Sequence, residues 1–526
     1  MTSTIDGSPV TAGPLSWRTG PARPWLRRAR RLRVEWVVVL VAVGLRLPLL
    51  SRPPSPDEAG FLLVGGQWHS GGTSLYGDYW VDRPPLLITL FRIAADAGGL
   101  VPLRILGCLA VVLTILGVAH LARRLGGRGA AGWAALAAGV LLVSPLTGAQ
   151  SVNGELLAAP FVIWGIVAVV HALGGGRHAT LLAGAAGAAL VCSVMVKQNF
   201  VDVAVFAAAA GLIALWRREI TAAWSRTLVG GFVLGASSAL AVLLLWTVAN
   251  GTSLGGVFDA MFPFRLQAGR LLASPANLGS RARFDALLVS WSMCGGALAM
   301  LVTAWALWRR RLGGTVVWAL AVTLCFEIVS VLAGGNYWDH YLIQLVGPLA
   351  VLVGVAASRT VVSARVVLVA SAVVGVIAWS VAFPWQGKSL SSSVGSAIGA
   401  VSAPDDTIVT IYGHSDLDFA TGLSSPYPYL WSLPTKLRDP QLHTLTDVLS
   451  GPQAPTWFVT WAHVGSWGVD SSSVSRALAV RYHPVAHLHG RTVYLRNGLR
   501  RDVPVFLGSV PPTPPMITTS LEELLP

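Results

Sequence analysis

The sequence is poor in charged side chains and in cysteine. Only 12% of its 526 residues are Asp, Glu, Lys or Arg, whereas 54% are hydrophobic, and the mean hydropathy is +0.63. Because a soluble globular protein carries about 25% charged residues, this composition excludes an ordinary cytosolic enzyme and a disordered chain. The four cysteines lie in apolar blocks without a CxxC spacing, which excludes a disulfide-stapled secreted fold and argues against nucleophilic or metal-binding cysteines.

Lysine is also scarce, since Lys197, Lys388 and Lys436 are its only occurrences among 38 Lys and Arg residues. The net charge of +14 therefore comes from arginine. These arginines sit in short loops between apolar blocks, as in membrane proteins with positively charged cytoplasmic loops. A nucleic-acid-binding surface is the alternative meaning of a basic chain, and this distribution argues against it, so we predict no nucleic-acid partner.

Apolar blocks of about twenty residues, the length of a bilayer-spanning helix, follow one another along the chain. We place about eleven spans, near residues 35–50, 101–121, 130–148, 155–173, 179–196, 200–216, 228–249, 286–307, 315–333, 340–357 and 366–384. The predicted fold class is an all-α polytopic membrane protein with a small C-terminal extracytoplasmic α/β domain.

The arginine distribution sets the predicted orientation in the cell membrane. With the N-terminus inside, every predicted inside loop carries arginine, as the positive-inside rule requires. The predicted division of the chain is a basic cytoplasmic tail (1–34), a membrane domain (35–384) with outer loops at 51–100 and 250–285, an extracytoplasmic α/β domain (385–510) and a Pro-rich tail (511–526).

The α/β assignment of the C-terminal region follows from its alternating patterns. Strand-like runs at Thr407–Tyr412, Trp457–Trp461 and Thr492–Leu495 alternate with a helix-like run at Ser472–Val480.

Ionisable residues gather in the first outer loop, and such residues at a membrane are usually functional. Asp57 and Glu58 precede a stretch with helical apolar spacing, Ala59–His69, and a second such stretch, Leu86–Ala95, follows Arg83. Both stretches are predicted as amphipathic helices in the membrane interface. The two acidic residues suit a functional pair and equally suit simple capping at the helix end where the dipole favours negative charge.

The combination of motifs resembles a known family. A first span ending in Leu-Arg-Leu-Pro, then Asp57-Glu58, then Asp82-Arg83-Pro84-Pro85-Leu86 resembles the GT-C glycosyltransferases, most closely the branch of the protein O-mannosyltransferases and the lipid A aminoarabinose transferase. The segments Leu103–Gly126 and Gly335–Tyr341 are similar to that family too. The resemblance covers about residues 35–355 and is densest in 50–130.

This resemblance implies an inverting glycosyltransferase that takes a sugar from a polyprenyl phosphate on the outer face. The acceptor is a hydroxyl of a glycan, glycolipid or protein, and mannosyl and arabinofuranosyl transfer are favoured among the sugars that share this architecture. Phosphate is a good leaving group, so the reaction needs a base for the acceptor hydroxyl and cations for the phosphate charge. The resemblance assigns Asp57 as the base, with Glu58 orienting Asp57 or the acceptor.

Basic residues are assigned to the donor phosphate by the same resemblance and by their position. Arg83 matches the family's basic residue before proline, and its planar fork suits phosphate. Lys197 matches the lysine that ends the fifth span, with an ordinary snorkelling residue as the alternative. His340 is either a donor to phosphate or a satisfied structural histidine. The second outer loop is basic against the positive-inside trend, which indicates a nearby phosphate or anionic headgroup; its arginines are Arg265, Arg270, Arg281 and Arg283, and the first two are assigned to the donor phosphate.

Acidic and aromatic neighbours complete the predicted site. Asp82 pairs with Arg83, while Tyr79, Glu155 and Tyr341 are assigned to acceptor binding or support. The alternatives for Glu155 are contact with a metal and a simple helix cap. Some members of the family use a divalent metal, but no tight His, Cys or Asp spacing is present, so no metal ligand is assigned.

The C-terminal histidines raise the question of a metal separately. His487 and His489 alternate in a strand-like run and are predicted to share a face. A pair without a third ligand is more typical of a protein surface.

Two other functions suit a polytopic protein. A transporter or lipid flippase places ionisable groups at mid-membrane, whereas these span centres are nearly free of charge, with Asp202 and Glu327 as the main exceptions. A non-catalytic family member acting in cell-envelope assembly is the other, and the intact set of Asp57, Glu58 and Arg83 argues against it.

Overall fold

The computed structural model describes residues 33–273, 278–359, 361–385, 389–462, 464–465 and 469–505. The predicted Pro-rich tail, and all but the last two residues of the predicted basic tail, lie outside the described residues.

The described chain is mainly helical and ends in a small sheet. Its helices are α1 Val34–Arg46, α2 Pro56–Gly66, α3 Pro85–Asp96, α4 Leu100–Val143, α5 Gly154–Leu173, α6 Ala179–Val196, α7 Asp202–Trp216, α8 Ala222–Ala249, α9 Leu254–Met261, α10 Pro263–Leu272, α11 Leu278–Met293, α12 Gly296–Trp308, α13 Thr315–Ala333, α14 Val346–Ser358, α15 Val362–Ala382, α16 Leu390–Gly399, α17 Ser415–Thr421, α18 Ser432–Arg438, α19 His443–Ser450 and α20 Ser472–Arg481. Its strands are β1 Ile408–Thr410, β2 Trp457–Thr460, β3 Tyr482–Leu488 and β4 Arg491–Arg496.

The apolar helices confirm a multi-pass membrane protein. Within the described residues, eight helical segments are long and apolar enough to cross a membrane, or nine if the bent pair α11–α12 forms one span. Each predicted span coincides with an apolar helix, but α4 contains two of them and α7, at 15 residues, is shorter than a typical span. The exact number of eleven therefore stays a prediction.

Helix α4 is broken at Gly127, whose φ of 77° and ψ of −164° are not helical. In an unbroken helix, Ile115 and Gly139 would lie about 36 Å apart, at 1.5 Å per residue. Instead, a methyl carbon of Ile115 lies 3.8 Å from the position that a Cβ of Gly139 would occupy. The two halves of α4 therefore fold back on each other at Gly127, where glycine permits the positive φ.

The second outer loop is structured, and the span that follows it differs from the prediction. Residues 250–285 are largely helical, since they include α9, α10 and the start of α11. The predicted span 286–307 is wrong as a single straight helix, because α11 and α12 meet at an angle of 66°. The break lies next to Gly295, whose φ of 82° is in the left-handed region that favours glycine.

Helices α2 and α3 form where the two interfacial helices were predicted, but α2 does not lie on a surface. It begins at Pro56, earlier than predicted, because Ser55 caps it and proline suits a first helical position. Phe61, Leu62 and Val64 of α2 are all buried in the main core. A Cβ on Gly65 would approach the backbone nitrogen of Arg92 in α3 to 2.7 Å, so the two helices pack backbone to backbone.

The C-terminal region is an α/β unit, as predicted. Its sheet has the strand order β1-β2-β4-β3, with β1 parallel to β2 and the other neighbours antiparallel. Consecutive residues of β2 face opposite sides of the sheet: Trp457 packs with α16 and α17, and Phe458 packs with α19 and α20. Helices therefore cover both faces.

The histidine pair of this region is not arranged as predicted. His487 lies in β3, but His489 lies in the turn beyond it, with a φ of 52°. The prediction that the two side chains share one strand face is therefore wrong.

Candidate active site

The site is built around the first turn of α2, whose start is fixed by a capping box. The Ser55 hydroxyl accepts from the Glu58 backbone N–H at 3.3 Å, and the Glu58 carboxylate accepts from the Ser55 backbone N–H at 3.0 Å. This reciprocal pair satisfies two helix-end donors. It places Asp57 at the positive end of the helix dipole, which stabilises its negative charge.

Glu58 is directed into the protein interior and forms a buried ion pair. Its carboxylate lies 3.0 Å from Nη2 of Arg104 on α4, and the exposed fractions of the two side chains are 0% and 2%. It also accepts from the Val152 backbone N–H at 2.9 Å. Burial acts to raise the pKa of Glu58, but the positive charges of Arg104 and Arg52 hold it below its ordinary value. Glu58 is thus a charged group that attaches α2 to α4.

Arg104 extends this attachment to the segment before α2. Its guanidinium donates to the backbone carbonyl groups of Leu49, Arg52 and Pro53 as well as to Glu58. The start of α2 is therefore held from inside the helix bundle. Arg104 could have been singled out from the sequence, because it lies within a predicted span, where a charged side chain is energetically costly and usually functional.

Asp57 is half-buried and faces a different set of partners. Nε1 of Trp431, from the C-terminal unit, donates to Oδ1 of Asp57 at 2.9 Å. The Asp57 carboxylate also interacts electrostatically with Arg83, Arg265 and Lys197. The structure therefore brings the predicted base together with three of the predicted phosphate-binding cations.

Asp82 connects two of these cations. Its carboxylate lies 2.7 Å from Nη1 of Arg83 and 2.9 Å from Nη2 of Arg265, and only 9% of its side chain is exposed. Burial acts to raise the pKa of Asp82, but the two arginines outweigh burial and lower it. The Arg83 guanidinium also lies 5.4 Å from the ring centre of Phe61, within cation–π distance.

Lys197, Glu155, His340 and Tyr341 form the adjoining part of the site. Lys197 forms a close ion pair with Glu155, and His340 Nε2 lies 3.6 Å from the same carboxylate. The Lys197 ammonium group lies 4.4 Å from the ring centre of Tyr341. These residues come from α5, the end of α6 and the turn before α14, so several helices converge here.

Two predicted site residues lie apart from this group. Tyr79 is buried, its hydroxyl accepts from the Ser425 backbone N–H at 2.8 Å, and burial raises its pKa to about 12. It therefore attaches the C-terminal unit to the first outer loop. Arg270 is exposed at the end of α10, and no described contact links it to the cluster.

The two carboxyl groups predicted at span centres lie together. Asp202 and Glu327 are completely buried and interact with each other, and Gln344 donates to Asp202 at 3.1 Å. In the part of the chain that the structure describes, no three His, Cys, Asp or Glu side chains are arranged to hold a metal. No step proposed below uses one.

Comparisons with known proteins identify solved structures with a similar fold. No family model matches the sequence, and no curated protein matches it. The chain is similar to the crystal structure of ArnT from Cupriavidus metallidurans bound to undecaprenyl phosphate, with a TM-score of 0.57 and 15% identity over 87% of this chain and 97% of that one.

A second solved structure is similar over much of its length. It is the archaeal oligosaccharyltransferase AglB from Archaeoglobus fulgidus, in complex with an inhibitory peptide and a dolichol-phosphate, with a TM-score of 0.51 and 12% identity over 88% of this chain and 74% of that one. At such identities the likeness shows a shared fold. It confirms the predicted GT-C membrane fold.

Proposed function

We propose that this protein is an integral-membrane inverting glycosyltransferase that moves a sugar from a polyprenyl-phosphate donor to a cell-envelope acceptor hydroxyl on the outer face of the membrane. The observation that carries this proposal is the position of the Asp57 carboxylate beside Arg83, Arg265 and Lys197. A base and a group of phosphate-binding cations are the two things that such a transfer requires.

The ligands of the two similar structures support the donor class. ArnT is bound to undecaprenyl phosphate and AglB to a dolichol-phosphate, and both molecules are polyprenyl phosphates. Mannose and arabinofuranose are the sugars we favour, and the acceptor is a glycan, glycolipid or protein hydroxyl.

Arg265 and Arg83 would hold the donor phosphate. Each guanidinium has five N–H donors, and Asp82 occupies one side of each. Nε of Arg265 is buried, and no described residue accepts its hydrogen. A phosphate oxygen would satisfy this donor, and Lys197, whose ammonium is paired with Glu155, would add a further positive charge nearby.

The proposed step conserves atoms and charge. The acceptor oxygen attacks the anomeric carbon from the face opposite the phosphate, the bond from carbon to phosphate oxygen breaks, and its electron pair leaves with the prenyl phosphate. The acceptor proton passes to Oδ2 of Asp57, because Oδ1 accepts from Trp431. The phosphate gains one negative charge as Asp57 loses one, so the positive charge of the site is suited to both states.

Glu58 and Glu155 would support this step without taking the proton. Glu58 fixes the helix that carries Asp57 through its ion pair with Arg104. Glu155 holds Lys197 and lies beside His340. Asp82 orients both arginines, and Tyr341 lies under the Lys197 ammonium.

Asp57→Asn tests the proposal, because the amide keeps the shape of the side chain but cannot accept the proton. Consumption of polyprenyl-phosphate sugar by the purified variant should fall by about 10²–10⁴, the usual contribution of a general base. Donor binding should change little, since the cations remain. Asp78→Asn, an exposed carboxylate of the same loop, is the matched control.

Near-normal turnover of Asp57→Asn would contradict the proposal. Asparagine is as good as aspartate at a helix start, so a residue that only caps α2 would tolerate the change.

A further inference from the structure

We propose that the C-terminal unit completes the active site, with Trp431 as the positioning residue that holds Asp57 in its catalytic orientation. This inference rests on the proposed function and adds to it a second part of the chain that the reaction needs.

The contact between Trp431 and Asp57 has a specific chemical consequence. An indole N–H can only donate a hydrogen bond. Its 2.9 Å bond engages Oδ1 of Asp57, which leaves Oδ2 to take the proton from the hydroxyl of the sugar acceptor. The indole ring also packs against Phe61, one turn further along α2, with ring centres 5.1 Å apart. The carboxylate is thereby held by both a hydrogen bond and a packed ring.

The surface of α2 is shaped to accept this ring. A Cβ on Gly60 would come within 2.4 Å and 2.8 Å of two ring carbons of Trp431 and within 2.9 Å of the Ser415 hydroxyl oxygen. Any side chain at position 60 would therefore displace the indole. The Ser415 hydroxyl in turn donates to the carbonyl oxygen of Pro56 at 2.5 Å, so α17 holds the same helix turn.

The segment that leads to Trp431 is attached to the first outer loop at two further points. The Ser425 backbone N–H donates to the Tyr79 hydroxyl at 2.8 Å, and the Trp80 backbone N–H donates to the Pro428 carbonyl oxygen at 3.0 Å. These bonds fix the path of residues 425–431 across the loop that also carries Asp82 and Arg83. Trp431 is thus directed at Asp57 by the docking of the whole C-terminal unit.

Trp431→Phe removes the donor but retains an aromatic ring against Phe61. We expect kcat for sugar transfer to fall by about 10–100-fold, the range that corresponds to losing one hydrogen bond to a charged group. The KM for the donor should stay within twofold, because no described contact joins Trp431 to Arg83, Arg265 or Lys197. Gly60→Ala should lower kcat similarly while leaving the indole intact.

Trp457→Phe is the matched control for stability of the C-terminal unit. Trp457 is fully buried in the sheet and its Nε1 has no described acceptor, so its replacement perturbs the same unit without removing a described hydrogen bond. The double variant Asp57→Asn/Trp431→Phe tests coupling: once the residue at position 57 cannot act as a base, losing Trp431 should cost less than twofold.

Three results would overturn the inference. One is a Trp431→Phe enzyme with kcat close to that of the wild type. The second is a loss of kcat that is equally large whether Trp431→Phe is made in the wild type or in the Asp57→Asn variant. The third is an equally large loss of kcat in Trp457→Phe.

A measurement without substrate separates this inference from the proposed function. Thermal unfolding of the wild type, the two single variants and the double variant gives the coupling between Asp57 and Trp431 in the resting protein. If the wild type consumes no polyprenyl-phosphate sugar, the proposed function fails, and additive melting shifts would then refute the contact itself. Non-additive shifts would keep the contact and remove only its catalytic interpretation.

Discussion

The buried ion pair of Glu58 and Arg104 provides the sharpest test of whether Glu58 holds helix α2 in place or takes part in the chemistry. Glu58→Gln removes the negative charge but keeps the size of the side chain. Arg104 would then be a buried cation, 2% exposed, with neutral carbonyl oxygens around it and no negative charge to pair with. Breaking one partner of a buried ion pair costs about 3–5 kcal/mol. We therefore expect a large loss of stability, with the turnover of each folded molecule changing far less than in Asp57→Asn.

The assay measures the two quantities on the same preparation. Thermal or denaturant unfolding in detergent gives the change in stability, and donor consumption divided by the folded fraction gives turnover. Glu219→Gln is the control, because 40% of that side chain is exposed and surface pairs contribute about 0–1 kcal/mol. The double variant Glu58→Gln/Arg104→Gln should recover part of the stability, since no buried charge is left unpaired.

One result would refute this reasoning. If Glu58→Gln unfolds like the wild type but its folded molecules turn over at least a hundredfold more slowly, Glu58 acts in the chemistry and its ion pair is not what holds α2 in place.

Three further predictions concern other parts of the molecule. Arg83→Ala should weaken donor use by about 10–100-fold, as expected for losing a charge-assisted hydrogen bond. Arg83→Lys should retain part of the donor use, because the positive charge remains. Equal donor consumption by the alanine variant and the wild type would remove Arg83 from the site. A cysteine at the exposed Ser450, in a variant without the four native cysteines, should react with an impermeant reagent applied to intact cells, and protection there would contradict the predicted orientation. Burial raises the pKa of Asp418 to about 8, so between about pH 4 and pH 8 the folded protein holds a proton that the unfolded chain has lost, and stability falls as pH rises, by at most about 1.4 kcal/mol per pH unit. Asp418→Asn should therefore melt like the wild type near pH 4 and above it near pH 8; identical melting curves at both pH values would show that Asp418 does not titrate in this way.

The sequence predicted the apolar helices and the C-terminal sheet because their signals are local. A run of twenty apolar residues or an alternating pattern is visible without knowing the rest of the chain. The separate spans placed at 101–121 and 130–148 imply the reversal that lies at Gly127, whereas the bend beside Gly295 was missed; both depend on a positive φ. With 56 glycines in the chain, the residue type alone does not show where the backbone turns.

Only part of the candidate site could be predicted from the sequence, and the reason is geometric. Asp57 and Glu58 are adjacent in sequence, but successive residues of a helix point about 100° apart. Asp57 consequently meets Trp431, whereas Glu58 meets Arg104 on the inside. No local sequence pattern marks Trp431 as a partner of Asp57, because the two residues are 374 positions apart along the chain.

That sequence separation has a consequence for how the protein is synthesised and folds. Helix α2 leaves the ribosome early, whereas its partners Ser415 and Trp431 are synthesised 359 and 374 residues after the groups that they contact. Contacts between such distant segments form late in folding. A nascent chain that ends before residue 425 would carry every predicted phosphate-binding cation but would lack the indole that orients Asp57. The finished site therefore forms only after residue 431 has been synthesised.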